Sequence, residues 1–474
     1  MSTAVQLETG TELSTSPSEP IEQTLSDVEE RKLIRRIDLR LLPILTVVYI
    51  TAFLDRVNIS NALTMGLPKD LHLKGDQPNI ALAVFFVPYI IFEIPSNLLL
   101  KRLKPHRWLS MCTIAFGVAM LAQGFVKNFA GLLTTRMLLG LAETGMFPGS
   151  FYLISFWYKQ EESQKRFTTF WTSLIFAGAF GGLLASAIAE MDGVGGLRNW
   201  RWIFILEGIG TIIVGGIAFF LIPDFPEDAS WLSRNERQFV QNRIGRHNSS
   251  STTAKQEHTS PSFRDILKEV GLFFTNPMRI LGAFMYWVSA YAYFAPTIIK
   301  NLGYSVVQTQ LRSVIPFATA LVACLLCAWL SDLVRLRLPF VLVGLTLACI
   351  GLIILMTVHH NIWAQFAALC LFAMGVFSAG ICVACWYIMN LQGHSQRAIG
   401  TAWMISMGNT GGILATFTFV ASDAPRYTKG YGICIGALCV SFISSFVYAG
   451  LILKARKSKK SEGVSAEDRG HYSL

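Results

Sequence analysis

Charge is what this chain has least of. Only 15% of its 474 residues are Asp, Glu, Lys or Arg, against 52% that are hydrophobic, and the mean hydropathy is positive. A soluble chain of this length needs far more polar surface, so the composition excludes a soluble globular protein and points to one that crosses a bilayer repeatedly. No G-x-x-x-x-G-K-[ST] loop occurs, which excludes ATP hydrolysis through a P-loop. Histidine is missing from the middle of every apolar run: His106, His359, His360 and His394 all fall in expected loops, so no histidine relay is expected. No run presents a His–acid or nucleophile–His arrangement either, and the chain is not expected to be an enzyme. The nine cysteines lie in apolar runs, and the C-x-x-C pairs 324/327 and 382/385 have no His or acid beside them. They are expected to pack as small residues, with no disulfide, metal or cofactor. No basic stretch followed by an apolar one opens the chain, so no cleavable signal is expected. The net charge of +10 would suit nucleic acid, but the basic residues cluster at the ends of apolar runs, where their partner is the lipid bilayer.

What is present is a succession of apolar runs of membrane-spanning length. Residues 1–40 read as a tail: Ser/Thr/Glu-rich to about 26, then an amphipathic helix with Val28, Leu33, Ile34 and Ile37 opposite Arg31, Arg35, Arg36 and Arg40. Six spans are expected in a first bundle, 41–222: near 41–62, 79–100, 107–126, 132–156, 167–189 and 202–222. A polar connector, 223–278, contains a helical pattern around Ser233–Arg246. A second bundle, 279–453, carries spans near 279–299, 311–331, 338–358, 362–388, 398–420 and 430–453, and a basic tail, 454–474, follows. Lys and Arg crowd the tails and the loop Lys101–Arg107, roughly twice as densely as the alternate loops, which places both termini and the connector in the cytosol. The expected fold class is an all-α membrane protein of twelve helices in two pseudo-symmetric six-helix bundles. Span five reads Gly178-x-x-Gly181-Gly182-x-Leu184-Ala185 and span eleven Gly408-x-x-Gly411-Gly412-x-Leu414-Ala415, equivalent positions of two halves. Glycines so spaced share a helix face and allow close backbone approach. Two such bundles around a central site form a transporter that works by alternating access.

The chemistry lies in the few charges inside the runs. Asp55 and Arg56 stand mid-way in the first, and Arg136 and Glu143 in the fourth. A charge near the middle of a span costs at least about 2.5 kcal/mol. Adjacent residues point about 100° apart on a helix, so Asp55 and Arg56 need other partners. Arg136 and Glu143 lie two turns apart on one face, with Gly140 leaving space between them. If spans one and four face each other, Asp55 can meet Arg136 and Arg56 can meet Glu143. Two acids and two bases together are nearly neutral, which makes burial tolerable. Arginine clamps a carboxylate with two parallel hydrogen bonds, and a carboxyl removed from water takes up a proton more readily. Protonating one acid frees an arginine for an anionic substrate. A static ion-pair lock between helices is the alternative use of the same four residues. Glu93, beside Pro95 in span two, is a gate contact or a further proton site. Tyr286, Trp287, Tyr291 and Tyr293 give span seven an aromatic face that suits a flat ligand or an interfacial belt, and Asn390 and Asn409 either complete a cavity or bond helix to helix.

Jointly, several stretches resemble the major facilitator superfamily over nearly the whole chain. They are Ile37-Asp-Leu-Arg-Leu-Leu-Pro43, Phe53-Leu-Asp-Arg-Val-Asn58, Glu93-Ile-Pro-Ser-Asn97, Arg136-Met-Leu-Leu-Gly-Leu-Ala-Glu143, Trp200-Arg-Trp-Ile-Phe-Ile-Leu-Glu-Gly208 and Pro223-Asp-Phe-Pro226. Within it they look like the anion:cation symporter group and its fungal allantoate and nicotinate permease branch. The resemblance implies proton-coupled movement of organic anions, with Asp55 and Glu143 matching its proton-coupling acids and Arg56 and Arg136 its binding-region bases. The family's inner-loop motif, Gly-x-x-x-Asp-Arg-x-Gly-Arg-Arg, is degenerate here. Asn97-Leu-Leu-Leu-Lys101-Arg102 has lost the Asp, and after span eight Asp332 and Arg337 remain while Leu333 replaces the Arg. No basic residue stands in 286–297 of span seven, so anion binding is expected to lean on Arg56 and Arg136. The expected site is thus Arg56, Arg136, Asn58, Tyr291 and Asn409 for substrate, Asp55 and Glu143 for protons, and Glu93, Asp332 and Arg337 as gate. The expected partners are a small organic anion, protons and the bilayer, with no nucleic acid, in a monomer of the plasma membrane. An exporter of a secondary metabolite or drug-like compound and a non-transporting nutrient sensor stand as alternatives.

Overall fold

The computed structural model describes residues 27–158, 160–248, 263–287, 298–299, 304–334, 336–358, 360–391, 394–418 and 428–461. Among these the secondary structure is helical, with no strand. The first half comprises α1 (Asp27–Thr64), the short α2 (Leu67–Asp70), α3 (Gln77–Ala83), α4 (Phe86–Arg102), α5 (Pro105–Gln123), α6 (Phe129–Glu143), α7 (Met146–Trp157), α8 (Gln160–Ala189) and α9 (Asn199–Leu221). Then come α10 (Arg234–Asn248) and α11 (Phe263–Phe273). The second half holds α12 (Pro277–Phe284), α13 (Val306–Val334), α14 (Leu338–Thr357), α15 (Ile362–Met389), α16 (His394–Thr416) and α17 (Thr428–Ser461).

Nine helical stretches among the described residues are long and apolar enough to cross a bilayer. Two more spans, α5 and α16, are helices of 19 and 23 residues that open on polar turns, His106-Arg107 and His394-Ser-Gln-Arg397. The expected seventh span, near 279–299, is described as α12, and its residues 288–297 lie outside the described set. The amphipathic segment and the first span form one helix of 38 residues. Their buried stripe is continuous, Leu33, Ile37, Leu41 and Leu45, at the four-residue spacing that keeps one helix face inward.

Each half packs into its own bundle. α5 runs along α9 and α1 lies against α8 and α9, while α15 packs on α13 and α14 and α12 packs on α16 and α17. Across the halves, α8 meets α13, and α16 meets α4 and α7. The repeated glycines stand at these crossings. A Cβ on Gly178 would lie 2.4 Å from the Phe317 ring, and one on Gly412 would lie 2.8 Å from the Phe86 ring. The small-residue face seen in each half thus lets one bundle approach the other.

The end of the first bundle where α1 begins is clasped by polar pairs. Arg243 of α10 pairs with Glu30 at 2.7 Å and Glu162 at 2.5 Å, and Arg36 pairs with Glu236 at 3.0 Å. Asp38 receives both arms of the Arg166 fork at 2.9 Å. At the N-terminus of α10, Ser233 and Glu236 exchange backbone-to-side-chain bonds, a capping box. Partial burial opposes it, but the Ser233 donors and the Arg36 guanidinium hold the Glu236 carboxyl below the usual range. In the described residues the segment after the sixth span is therefore tied to the first bundle.

Candidate functional site

Two breaks in the helices create the site. A proline cannot donate to the carbonyl four residues back, so the ladder loosens one turn before it. Pro88 follows the break at Val84-Phe85 between α3 and α4, and Pro148 follows the break at Thr144-Gly145 between α6 and α7. The first break presents the Ala81 carbonyl, which accepts a hydrogen bond from Arg136 Nε at 3.3 Å. The second leaves Glu143 as the last residue of α6. Gly140 does not leave open space: a Cβ there would meet the Phe85 carbonyl oxygen at 2.1 Å, so the backbone of span two fills the gap.

That close approach sets Phe85 beside both arginines. The Arg56 and Arg136 guanidinium carbons lie 5.1 Å and 5.0 Å from its ring centroid, and Arg56 lies 4.8 Å from the Tyr89 ring. Ring faces attract cations by about 0.5–2 kcal/mol each, which offsets part of the desolvation of the guanidiniums. Arg56 Nη2 pairs with Glu143 Oε1 at 2.5 Å, and both residues are buried. The pairing of Arg56 with Glu143 read from the sequence is therefore present. Asp55 is placed differently: its Oδ2 accepts a hydrogen bond from Thr211 of α9 at 3.2 Å, and its Oδ1 has no hydrogen-bond partner. Charged groups acting on it are, in order, Glu207 of α9, Glu143 and Arg136.

Between the bundles lies a cavity of about 40 Å³, walled by Tyr49, Phe53, Arg56, Phe86, Tyr89, Phe147 and Leu174 from the first half and Tyr286, Ile405, Gly408, Asn409 and Gly412 from the second. Arg56 is its one charged wall among the described residues. Among the described residues this volume suits a water rather than an organic anion. A far larger apolar groove of about 540 Å³, between α4, α5 and α6, has no charged residue in its described lining.

Other expected site residues divide. Asn409 lines the cavity, with its Nδ2 lacking a hydrogen-bond partner. Asn58 does not: the structure turns it from the cavity toward α9, where its amide donates to both carboxylate oxygens of Glu207. The physical reason is helix geometry, since Asn58 lies about 200° around α1 from Arg56. Tyr291 lies outside the described residues. Glu93 accepts a hydrogen bond from Ser406 of α16 at 2.6 Å, a link between the bundles rather than to a basic loop. Asp332 and Arg337 form an ion pair at 2.6 Å. Sequence reasoning missed Glu207, Thr211 and Ser406. Glu207 carried a usable signal, a single acid inside the apolar run of α9; the two hydroxyls carried none.

A family model described as the Major Facilitator Superfamily matches residues 45–416. The chain is 31% identical over 463 residues to the MFS-type transporter cnsO of Penicillium expansum, covering 95% of this chain and 88% of that one. It is also 31% identical over 454 residues to the major facilitator-type transporter hxnP of Emericella nidulans, covering 92% and 88%. Among solved structures, the xylose transporter XylE from E. coli in a partially occluded inward-open conformation superposes with a TM-score of 0.66 at 15% identity, covering 86% of this chain and 96% of that one. A bacterial homologue of the human lysosomal transporter Spinster, inward-facing and unoccupied, superposes with a TM-score of 0.61 at 16% identity, covering 90% and 99%. A match this long, to a fold of two packed six-helix bundles around a central charged cavity, makes the chain a multi-pass membrane transporter belonging to the Major Facilitator Superfamily.

Proposed function

We propose that this transporter belongs to the anion:cation symporter group and brings a small organic anion into the cell together with protons. The observation that carries the reading is the Arg56–Glu143 ion pair at the edge of an aromatic cavity between the bundles. While Glu143 is ionised its Oε1 holds Arg56 Nη2. Once Glu143 takes a proton its charge is gone, and a substrate carboxylate replaces it on Arg56, whose planar fork can donate two parallel hydrogen bonds. Aromatic walls at Phe53, Phe86, Tyr89, Phe147 and Tyr286 favour a flat acid of the nicotinate kind over a branched one, and allantoate-like carboxylates form the second class to test. Arg136 holds the network's charge balance and span two's position through Ala81 and Phe85.

Alternating access needs contacts between bundles that open in turn. Glu93–Ser406 is the candidate gate between the bundles, and Asp332–Arg337, a pair within the second half, can brace the end of α13 as the bundles move. The reading takes residues 1–40, 223–278 and 454–474 as cytosolic, which the Lys and Arg near the membrane in the tails support, and the transporter as a monomer of the plasma membrane. The test is uptake of radiolabelled carboxylates by vesicles containing the protein, with acid outside. Nicotinate or a similar carboxylate accumulating against its gradient supports the reading; binding without flux would leave a sensor, and efflux driven by inward protons an exporter.

A further inference from the structure

Glu207 is a buried acid of the interior for which this cycle has no use, and it stands away from the cavity, between α1 and α9. We propose that Asp55 and Glu207 together form a second proton-binding site, separate from the substrate cavity, held in place by Asn58 and Thr211 as positioning residues. The proposal rests on the proton-coupled reading above and adds a site to it.

Spacing builds the pair. Asp55 and Asn58 are three residues apart on α1, and Glu207 and Thr211 four apart on α9, so each couple shares one helix face. The bonds then cross: Thr211 Oγ1 donates to Asp55, and Asn58 donates to Glu207. Asn61 Nδ2 donates to Asn58 Oδ1 at 2.6 Å, which fixes the Asn58 amide with its N–H groups toward Glu207. Glu207 thus stands one helical turn along α9 from Thr211, the residue that donates to Asp55. From α6 the groups facing Asp55 are Glu143 and Arg136. The helices packed alongside, α5 and α8, carry charged side chains only in their first two turns.

Charge count requires the proton. Arg56 and Arg136 balance two of the three acids Asp55, Glu143 and Glu207, even before Glu93 is added. An uncompensated carboxylate in a membrane interior is costly, and two neighbouring carboxylates relieve it by holding one proton between them. The lining selects a proton over a metal cation: Thr211 and Asn58 point donors, not lone pairs, at the carboxylates. The ladder also reaches the second bundle. Thr64 Oγ1 donates to the Asn61 carbonyl at 2.7 Å and accepts from Gln310 Nε2 of α13 at 3.1 Å, so separating the bundles here strips a polar partner from the same chain of groups.

Infrared titration of the purified full-length protein in lipid tests the pair, read at the protonated-carboxyl C=O stretch. Wild type is expected to keep such a band at neutral pH. Glu207→Gln and Asp55→Asn each remove the same component of it, the double variant removes no more, Glu207→Asp keeps that component, and Asn58→Ala moves its titration midpoint. A band that loses no intensity in Glu207→Gln overturns the proposal, and so does a wild-type component that sodium abolishes at constant pH. The retained band of Glu207→Asp guards against reading misfolding as loss of the proton. If the vesicles take up no carboxylate, the function proposed above fails while this titration still decides the Asp55–Glu207 site.

Discussion

In the first half of the molecule, Asp55, Arg56, Glu93, Arg136, Glu143 and Glu207 are buried within the spans, whereas the second half meets the same cavity with Tyr286, Ile405, Gly408, Asn409 and Gly412. Its buried arginine among the described residues, Arg337, sits after α13 and pairs with Asp332 there. The halves nonetheless share their helix order and their glycine face. The two halves therefore share a packing surface while the buried ionisable chemistry collects in one. A neutral second half can swing over the charged first half without dragging a buried charge across the membrane, which is the costly event in such a medium.

The sharpest way to break that comparison is to remove the charge that only the first half supplies. Arg56→Ala should abolish carboxylate binding, a loss of at least about a hundredfold, because the buried substrate carboxylate then lacks its guanidinium partner, an event costing about 3–5 kcal/mol. Equilibrium binding of the substrate to purified protein checks it; normal affinity would end the carboxylate-clamp account. Next in size, Glu143→Gln keeps shape but cannot exchange a proton. Gradient-driven accumulation should collapse while substrate exchange persists, measured side by side in vesicles.

A third substitution pair sharpens what the halves share. A Cβ at Gly182 would meet the Gln310 carbonyl oxygen at 2.8 Å and Ser313 Oγ at 2.7 Å, whereas one at Gly412 meets only the Phe86 ring, at 2.8 Å. A ring end can turn and a backbone cannot. Gly182→Ala should therefore destabilise the packed form by about 1–3 kcal/mol and Gly412→Ala by less, read as thermal unfolding in detergent. Equal shifts would mean that the two crossings are packed alike. The smallest effect belongs to the α10 clasp, which only the first half carries. Ser233→Ala removes a capping hydroxyl and should cost about 1 kcal/mol with transport unaltered, checked by the same melts. Because the folded Glu236 carboxyl sits below its usual range, its contribution is present at neutral pH and fades as acid protonates it.

Much of this was readable before any coordinates. Asp55, Arg56, Arg136 and Glu143 announced themselves because a charge in an apolar run is expensive, and the glycine face repeated at equivalent positions. The same rule applied evenly finds Glu207, the single acid in the apolar run of α9. The face of Asn58 was not legible, because a sequence shows angular spacing around α1 but not which neighbour occupies each side. Nor was the placement of Phe85 between the arginines, which depends on Pro88 loosening one helix and Gly140 admitting another. Ser406 and Thr211 were invisible for a simpler reason: hydroxyls are common in spans, and only a buried carboxylate opposite makes one matter.

The central claim is that a proton on Glu143 and a carboxylate on Arg56 replace one another. It is tested most directly by driving vesicles containing wild-type protein with an acid-outside gradient and following nicotinate and related carboxylates, with Glu143→Gln in parallel. The account predicts concentrative uptake by wild type and only equilibration by the variant. Full gradient-driven accumulation by Glu143→Gln would contradict it.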